Sequence, residues 1–152
     1  MSAARFFAAA AAVAASALFG HIRAERELAS FRLTERLSED LLEAERILRL
    51  ERAPLEAIAA RLKESGREGL LTAALSGEPL PASAPQESAS VLFELMRGLG
   101  TGDPQTEAAR LISARERLLP ALEKARSGLE NSARLKRTLP LMFGLASAML
   151  IL

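Results

Sequence analysis

Two uncharged apolar runs bracket this chain and constrain it more than any other feature. FFAAAAAVAASALFG (residues 6–20) and LPLMFGLASAMLIL (139–152) contain no Asp, Glu, Lys or Arg. The segment between them is heavily charged, so the order is apolar end, polar middle, apolar end. At ~1.5 Å per residue, helices of 15 and 14 residues reach roughly 21–23 Å, short of a ~30 Å hydrocarbon core. The first run is rich in Ala, with Phe6, Phe7, Val13, Leu18 and Phe19 as its strongly apolar members. At ~0.3–0.6 kcal/mol each, these favour insertion only modestly. Ala3 and Ala4 lengthen the run if Arg5 snorkels to the headgroups. Two short segments that pair as a hairpin, thin the bilayer or oligomerise account for both lengths together. A second reading stays open: Arg5 and the A-x-A pattern of Ala15-Ser16-Ala17 also fit a cleaved signal peptide.

Flanking charge orients the anchored reading. Arg23 and Arg26 follow the first run, and Arg134, Lys136 and Arg137 precede the second, with only Arg5 on the outer side. The positive-inside rule then keeps the middle segment in the cytoplasm and sends both termini across. The same basic residues can touch anionic lipid headgroups, although ordinary flanking charge explains them equally well. Ala8, Ala12, Ser16 and Gly20 fall four apart, and Gly144 and Ala148 repeat that spacing. Such small-residue stripes let helices approach closely, but an Ala-rich run produces the pattern by composition alone.

Composition excludes several chemistries. The chain has 152 residues, enough for one modest core, and its 20 Lys and Arg nearly balance 19 Asp and Glu. That balance gives no argument for nucleic acid or for an acidic substrate. There is no Cys, which removes disulfides, thiolate zinc sites and a cysteine nucleophile. His21 is the only histidine and lies beside the first apolar run, a poor place for a general base. The many carboxylates show no spacing that singles out a catalytic dyad or a metal site. Good helix formers dominate, and β-branched residues and Tyr are scarce.

Periodicity predicts helices throughout the middle. Leu33, Leu37, Leu41, Ala44 and Leu48 make one apolar stripe on a long helix from residue 22 to about 52. Glu45 and Arg49 form an i,i+4 pair in the favourable order. PLEAIAARL (54–62) restarts a helix with Pro54 at its first position, Leu55, Ile58 and Leu62 inside, and Ser65-Gly66 as its stop. Leu70, Leu71, Ala74 and Leu75 make a third helix closed by Ser76-Gly77. GEPLPASAPQ (77–86) is a loop, and Val91, Leu92, Leu95, Met96 and Leu99 form a fourth helix. The last helix starts near 104 and carries Leu111, Leu118, Leu122, Ala125 and Leu129, interrupted by Arg115. Its imperfect heptads favour packing within a bundle over a dedicated coiled coil. Pro120 predicts a bend or break, and Pro140 a disturbance at the start of the second apolar run.

The stretch GLGTGDPQTEAA (98–109) raises the question of a phosphate-binding loop. Such a loop follows a strand and opens a helix, whereas VLFELMR before it has helical period. No Lys follows the glycines, and Asp103 adds negative charge where a phosphate would lie. A helix corner fits each residue instead. Gly98 or Gly100 supplies a left-handed C-cap, Asp103 caps the next helix, and Pro104 takes its first position.

In order and spacing these features resemble the stage III sporulation protein AB family of endospore-forming Firmicutes. The residues that carry the likeness are an apolar N-terminus ending in Gly20, then LLEAERILRLERAPLEAIAARL (41–62), similar to the family's LE-x-EI…PL-x-EA run. LGTGD (99–103) follows, similar to its LG-x-S-D corner, and a long last helix leads into LPLMFGLASAMLIL. Gly102 stands where the family prefers Ser, and Glu107 where Gln is expected. A Trp-containing stretch between the third and fourth helices is replaced by the Pro-rich loop 77–86. The family's soluble domain is similar to the inner-membrane platform proteins of type II secretion and type IV pilus systems. The resemblance implies a mother-cell complex at the outer forespore membrane, with a secretion-type ATPase and other membrane subunits as partners.

The expectation is therefore an all-α chain: a small antiparallel helical bundle (22–138) flanked by N- and C-terminal transmembrane helices (1–21 and 139–152). It is expected to be non-catalytic, with no cofactor, small-molecule substrate or nucleic acid. Gly98, Leu99, Gly100 and Asp103 form the corner most suited to an interaction. Arg23, Arg26, Arg134, Lys136 and Arg137 mark the membrane boundary.

Overall fold

A computed structural model describes the backbone of residues 3–151 and the side chains of Ala14, Leu18 and residues 21–131. The chain is all-α. Five helices follow in order: α1 (Ala3–Glu51), α2 (Leu55–Glu64), α3 (Leu70–Leu75), α4 (Gln86–Gly98) and α5 (Pro104–Ile151). It divides into two compact units. One is Ser30–Ala125, and the other joins the chain up to Ala29 with the chain from Arg126 onward.

The core of the first unit draws on every helix. The predicted stripe on α1 is buried at Leu37, Leu41, Ala44 and Leu48, with Leu33 packed at its edge and Ile47 added. Ile58 and Leu62 come from α2, Leu70 and Leu71 from α3, and Val91, Leu92 and Leu95 from α4. Helix α5 contributes Leu111 and Leu118 together with Ala108 and Ala114. Burying a Leu side chain fully stabilises by about 1.5–3 kcal/mol, so this cluster is the principal force holding the five helices together.

Local chemistry sets where the helices stop. Helix α1 ends with Arg52 in the left-handed region at φ 48, its amide donating to the Leu48 carbonyl at 3.1 Å. Pro54 follows as the N-cap of α2, one position earlier than expected, because its ψ of 158 is extended and not helical. Its carbonyl still accepts the amides of Ala57 and Ile58 at 3.0 and 3.1 Å. Helix α2 closes as predicted at Ser65-Gly66, with Arg67 N donating to Leu62 O at 2.9 Å and Gly66 N to Lys63 O at 3.0 Å. The same doubly bonded stop recurs after α3, where Glu78 N reaches Ala73 O at 2.9 Å and Gly77 N reaches Ala74 O at 3.2 Å. Both are Schellman closures, which satisfy the last carbonyls of a helix without tertiary help.

Polar contacts fix the relation between elements. Buried Thr34 of α1 and Ser88 of α4 share a hydroxyl–hydroxyl hydrogen bond of 3.0 Å. Buried Asp40 of α1 accepts from Arg67 at 3.4 Å, holding the linker between α2 and α3. Burial pushes the Asp40 carboxyl above its usual range, against the opposing pull of the Arg67 hydrogen bond and charge. A Cβ at Gly69 would lie 3.0 Å from Asp40 Oδ2, so a side chain there would press the Asp40 carboxylate back by a few tenths of an ångström. Glu94 of α4 pairs with Arg117 of α5 on the surface, and that guanidinium holds the Glu94 carboxyl below its usual range.

No break occurs at Pro120, which corrects the strongest reading of that residue: α5 continues through both Pro120 and Pro140. Pro120 lies on the exposed face, where water can donate to the Glu116 carbonyl that the missing N–H leaves without a partner. Leu122, Ala125 and Leu129 are only half-buried, so the expected heptad stripe on α5 does its packing chiefly at Leu111 and Leu118. Arg115, which interrupts that stripe, is half-buried, and its Nε has no hydrogen-bond partner among the described residues.

In the second unit, Leu18, Ile22 and Leu28 are exposed, and the i,i+4 pairs His21–Glu25 (3.3 Å) and Arg23–Glu27 (3.0 Å) line α1. Among the described residues no helix is long and apolar enough to cross a membrane. Both apolar runs that carry the membrane expectation lie almost wholly outside the described side chains. The small-residue stripes at Ala8, Ala12, Ser16, Gly20, Gly144 and Ala148 fall there too, as do Arg134, Lys136 and Arg137.

Candidate functional site

The corner between α4 and α5 brings Gly98, Leu99, Gly100 and Asp103 together. Leu99 caps α4 in an extended conformation, its amide donating to Leu95 O at 2.9 Å, and its side chain packs against the core. Gly98 is still helical, so the left-handed position belongs to Gly100, at φ 86. A side chain there would be strained and would meet Leu55 at 3.5 Å. Thr101 donates its hydroxyl to Gly98 O at 2.8 Å and accepts from Arg110 Nη1 at 3.0 Å, tying the loop to α5.

Asp103 caps α5 as expected. Its carboxylate accepts from the Thr106 hydroxyl and from the amides of Gln105 and Thr106. These bonds, the Thr106 hydroxyl foremost, hold Asp103 below the usual carboxylate range. Pro104 occupies the first helical position, where an N–H is not needed.

The residue that organises the corner is Glu107. It is only 5% exposed, and its Oε1 accepts from Gly100 N at 2.6 Å and Gly102 N at 3.2 Å. The glycine-rich loop therefore does present backbone amides to an anion, as phosphate loops do. The anion is a carboxylate from the chain itself. Those two donors are engaged internally, and the loop acts as a clasp. The sequence contained one hint, an acid in the first turn of the helix that follows a glycine-rich loop with orphan amides. Nothing in spacing alone says that Glu107 folds back and not outward.

Beside the corner, the last turn of α1 meets the first turn of α5. Leu48, Arg49, Arg52, Pro104 and Gln105 line an open groove of about 440 Å³ there. Arg49 pairs with Glu45 as the sequence predicted. Of the membrane-flanking set, Arg23 and Arg26 are exposed, and Arg23 is paired with Glu27. Among the described residues, no group of His, Asp or Glu gathers in a way that could hold a metal ion. No protein-family model, no curated protein and no solved structure matches this chain.

Proposed function

We propose that this chain is a membrane-anchored, non-catalytic platform subunit of a sporulation-specific, secretion-like channel complex. In this reading the helices form a small antiparallel bundle in the mother-cell cytoplasm, flanked by transmembrane helices at the outer forespore membrane. Its partners are a secretion-type ATPase, the other membrane subunits of the complex and the lipid itself. The observation that carries the reading is the ordered resemblance: an apolar start ending at Gly20, the run 41–62, the corner 99–103 and a last helix feeding a second apolar run. Two structural facts support it. Within Ser30–Ala125 the core draws on all five helices, as a compact mount requires. The corner is braced from within by Glu107, so it offers a fixed shape.

Two measurements test the proposal. The full-length chain in detergent should retain the cognate ATPase in a pull-down, and a deletion strain should arrest during sporulation. A chain that captures no ATPase, in a strain that sporulates normally without it, would reject the platform. The motif Ala15-Ser16-Ala17 favours a second reading, a signal-cleaved secreted helical protein with an apolar tail. Mass spectrometry of the mature N-terminus separates the two: a start near Leu18 supports secretion, and an intact 6–20 run supports the anchor.

A further inference from the structure

We propose that the outward face of α4 is a contact between two copies of this chain, set antiparallel about a two-fold axis. The inference stands apart from the platform reading, since it concerns only what this face meets. Helix α4 turns Ser88, Val91, Leu92 and Leu95 into the core, which leaves Glu87, Ser90, Phe93, Glu94 and Arg97 facing solvent. Phe93 is 68% exposed, the only exposed aromatic side chain among the described residues. Half-buried Ala89 and Met96, four residues before it and three after, extend it into a short apolar strip. The charges beside the strip name its occupant. Glu87 and Arg97 make no ion pair among the described residues, while Glu94 between them is already held by Arg117. Glu87 and Arg97 each lie five residues from Leu92, about 7.5 Å along the axis. A second α4 laid antiparallel about that point sets each Glu87 opposite the other copy's Arg97, and brings Phe93 against its own counterpart. Parallel copies would oppose Glu87 to Glu87 and Arg97 to Arg97, which like-charge repulsion disfavours. Antiparallel helix dipoles add to the same preference. With 13 residues, α4 is about 20 Å long, so the contact falls below the roughly 1,200 Å² of a standard interface. It is a weak, reversible pairing that gains weight where copies are held close together.

The chain has no Cys, so a single introduced thiol reports its own surroundings. Full-length Ser90→Cys and Gln86→Cys variants in detergent micelles are treated with a short bismaleimide, and covalent dimer is read on a denaturing gel. In the antiparallel pair the two copies of position 90 lie about 6 Å apart along the axis, and those of position 86 about 18 Å. Dimer should therefore form at S90C and be several-fold weaker at Q86C. In the S90C background, Phe93→Ala should cut the yield about tenfold, the worth of an aromatic pair. Glu87→Arg and Arg97→Glu should each reduce it as well, and the double reversal E87R/R97E should restore it, because opposite charges then face each other again. All three side chains are exposed, so each variant should keep the helical circular dichroism of wild type. Equal yields at positions 86 and 90, no dimer at S90C, indifference to F93A, or no rescue by the double reversal would overturn the inference.

Discussion

Glu107 shows how much a single side chain decides. Its carboxylate satisfies two loop amides at once, and hydrogen bonds to a charged acceptor contribute about 1.5–3 kcal/mol each. Glu107→Ala should lower the unfolding free energy by about 2–4 kcal/mol in urea titrations followed by circular dichroism. Glu107→Gln, whose amide oxygen can accept the same two bonds, should lose about 1 kcal/mol or less. The neighbouring glycines should separate in the same assay. Gly100→Ala forces a methyl group into a φ of 86 and should destabilise by about 1–2 kcal/mol. Gly98→Ala lies inside α4, its new methyl 3.2 Å from the movable Arg110 guanidinium, and should be neutral or stabilising by up to about 1 kcal/mol. Asp40 makes a pH prediction. Burial raises its folded-state pKa above the usual 3.8, so protonation favours the folded chain. That contribution is complete below 3.8 and is lost as pH rises through the folded value. The stability difference between wild type and Asp40→Asn should therefore shift toward wild type on acidification, and a difference flat with pH would contradict it.

The helices differ in how openly the sequence announces them. The α1 stripe from Leu37 to Leu48 and the Ser-Gly stops after α2 and α3 were legible because their causes are local: a repeat near 3.6, and a backbone closure that needs glycine. Contacts such as Thr34–Ser88, Asp40–Arg67 and Glu107 to the corner were not legible, because they join residues whose proximity only the packed core creates. Ala108 and Ala114 belong to the core for a reason of the same kind: a small residue reads as neutral until the neighbouring helix is placed. The break allowed for at Pro120 does not occur, because the cost of proline in a helix depends on which face carries the lost hydrogen bond. On the exposed face α5 continues, one bond short. Pro120→Ala should restore that bond and raise stability by about 1–3 kcal/mol, visible as a higher melting temperature.

At the scale of the whole molecule, the proposal turns on two apolar runs around one charged segment. If the runs anchor the chain as proposed, Cys residues introduced singly at exposed Arg126 or Arg36 should be labelled by an impermeant maleimide only from the cytoplasmic side. Cys introduced at Ser2 should react only from the opposite side. Labelling of all three from one side would refute the topology. The two Schellman closures bear on how such a chain is made. Reversals written into neighbouring peptide groups form without waiting for distant sequence. Every residue of the Ser30–Ala125 unit is also translated before the terminal greasy stretch 139–152 exists. Under the proposed anchoring, α2 and α3 can therefore take shape before the stretch 139–152 is made, so that these early reversals do not compete with bilayer insertion for the same hydrophobic surface.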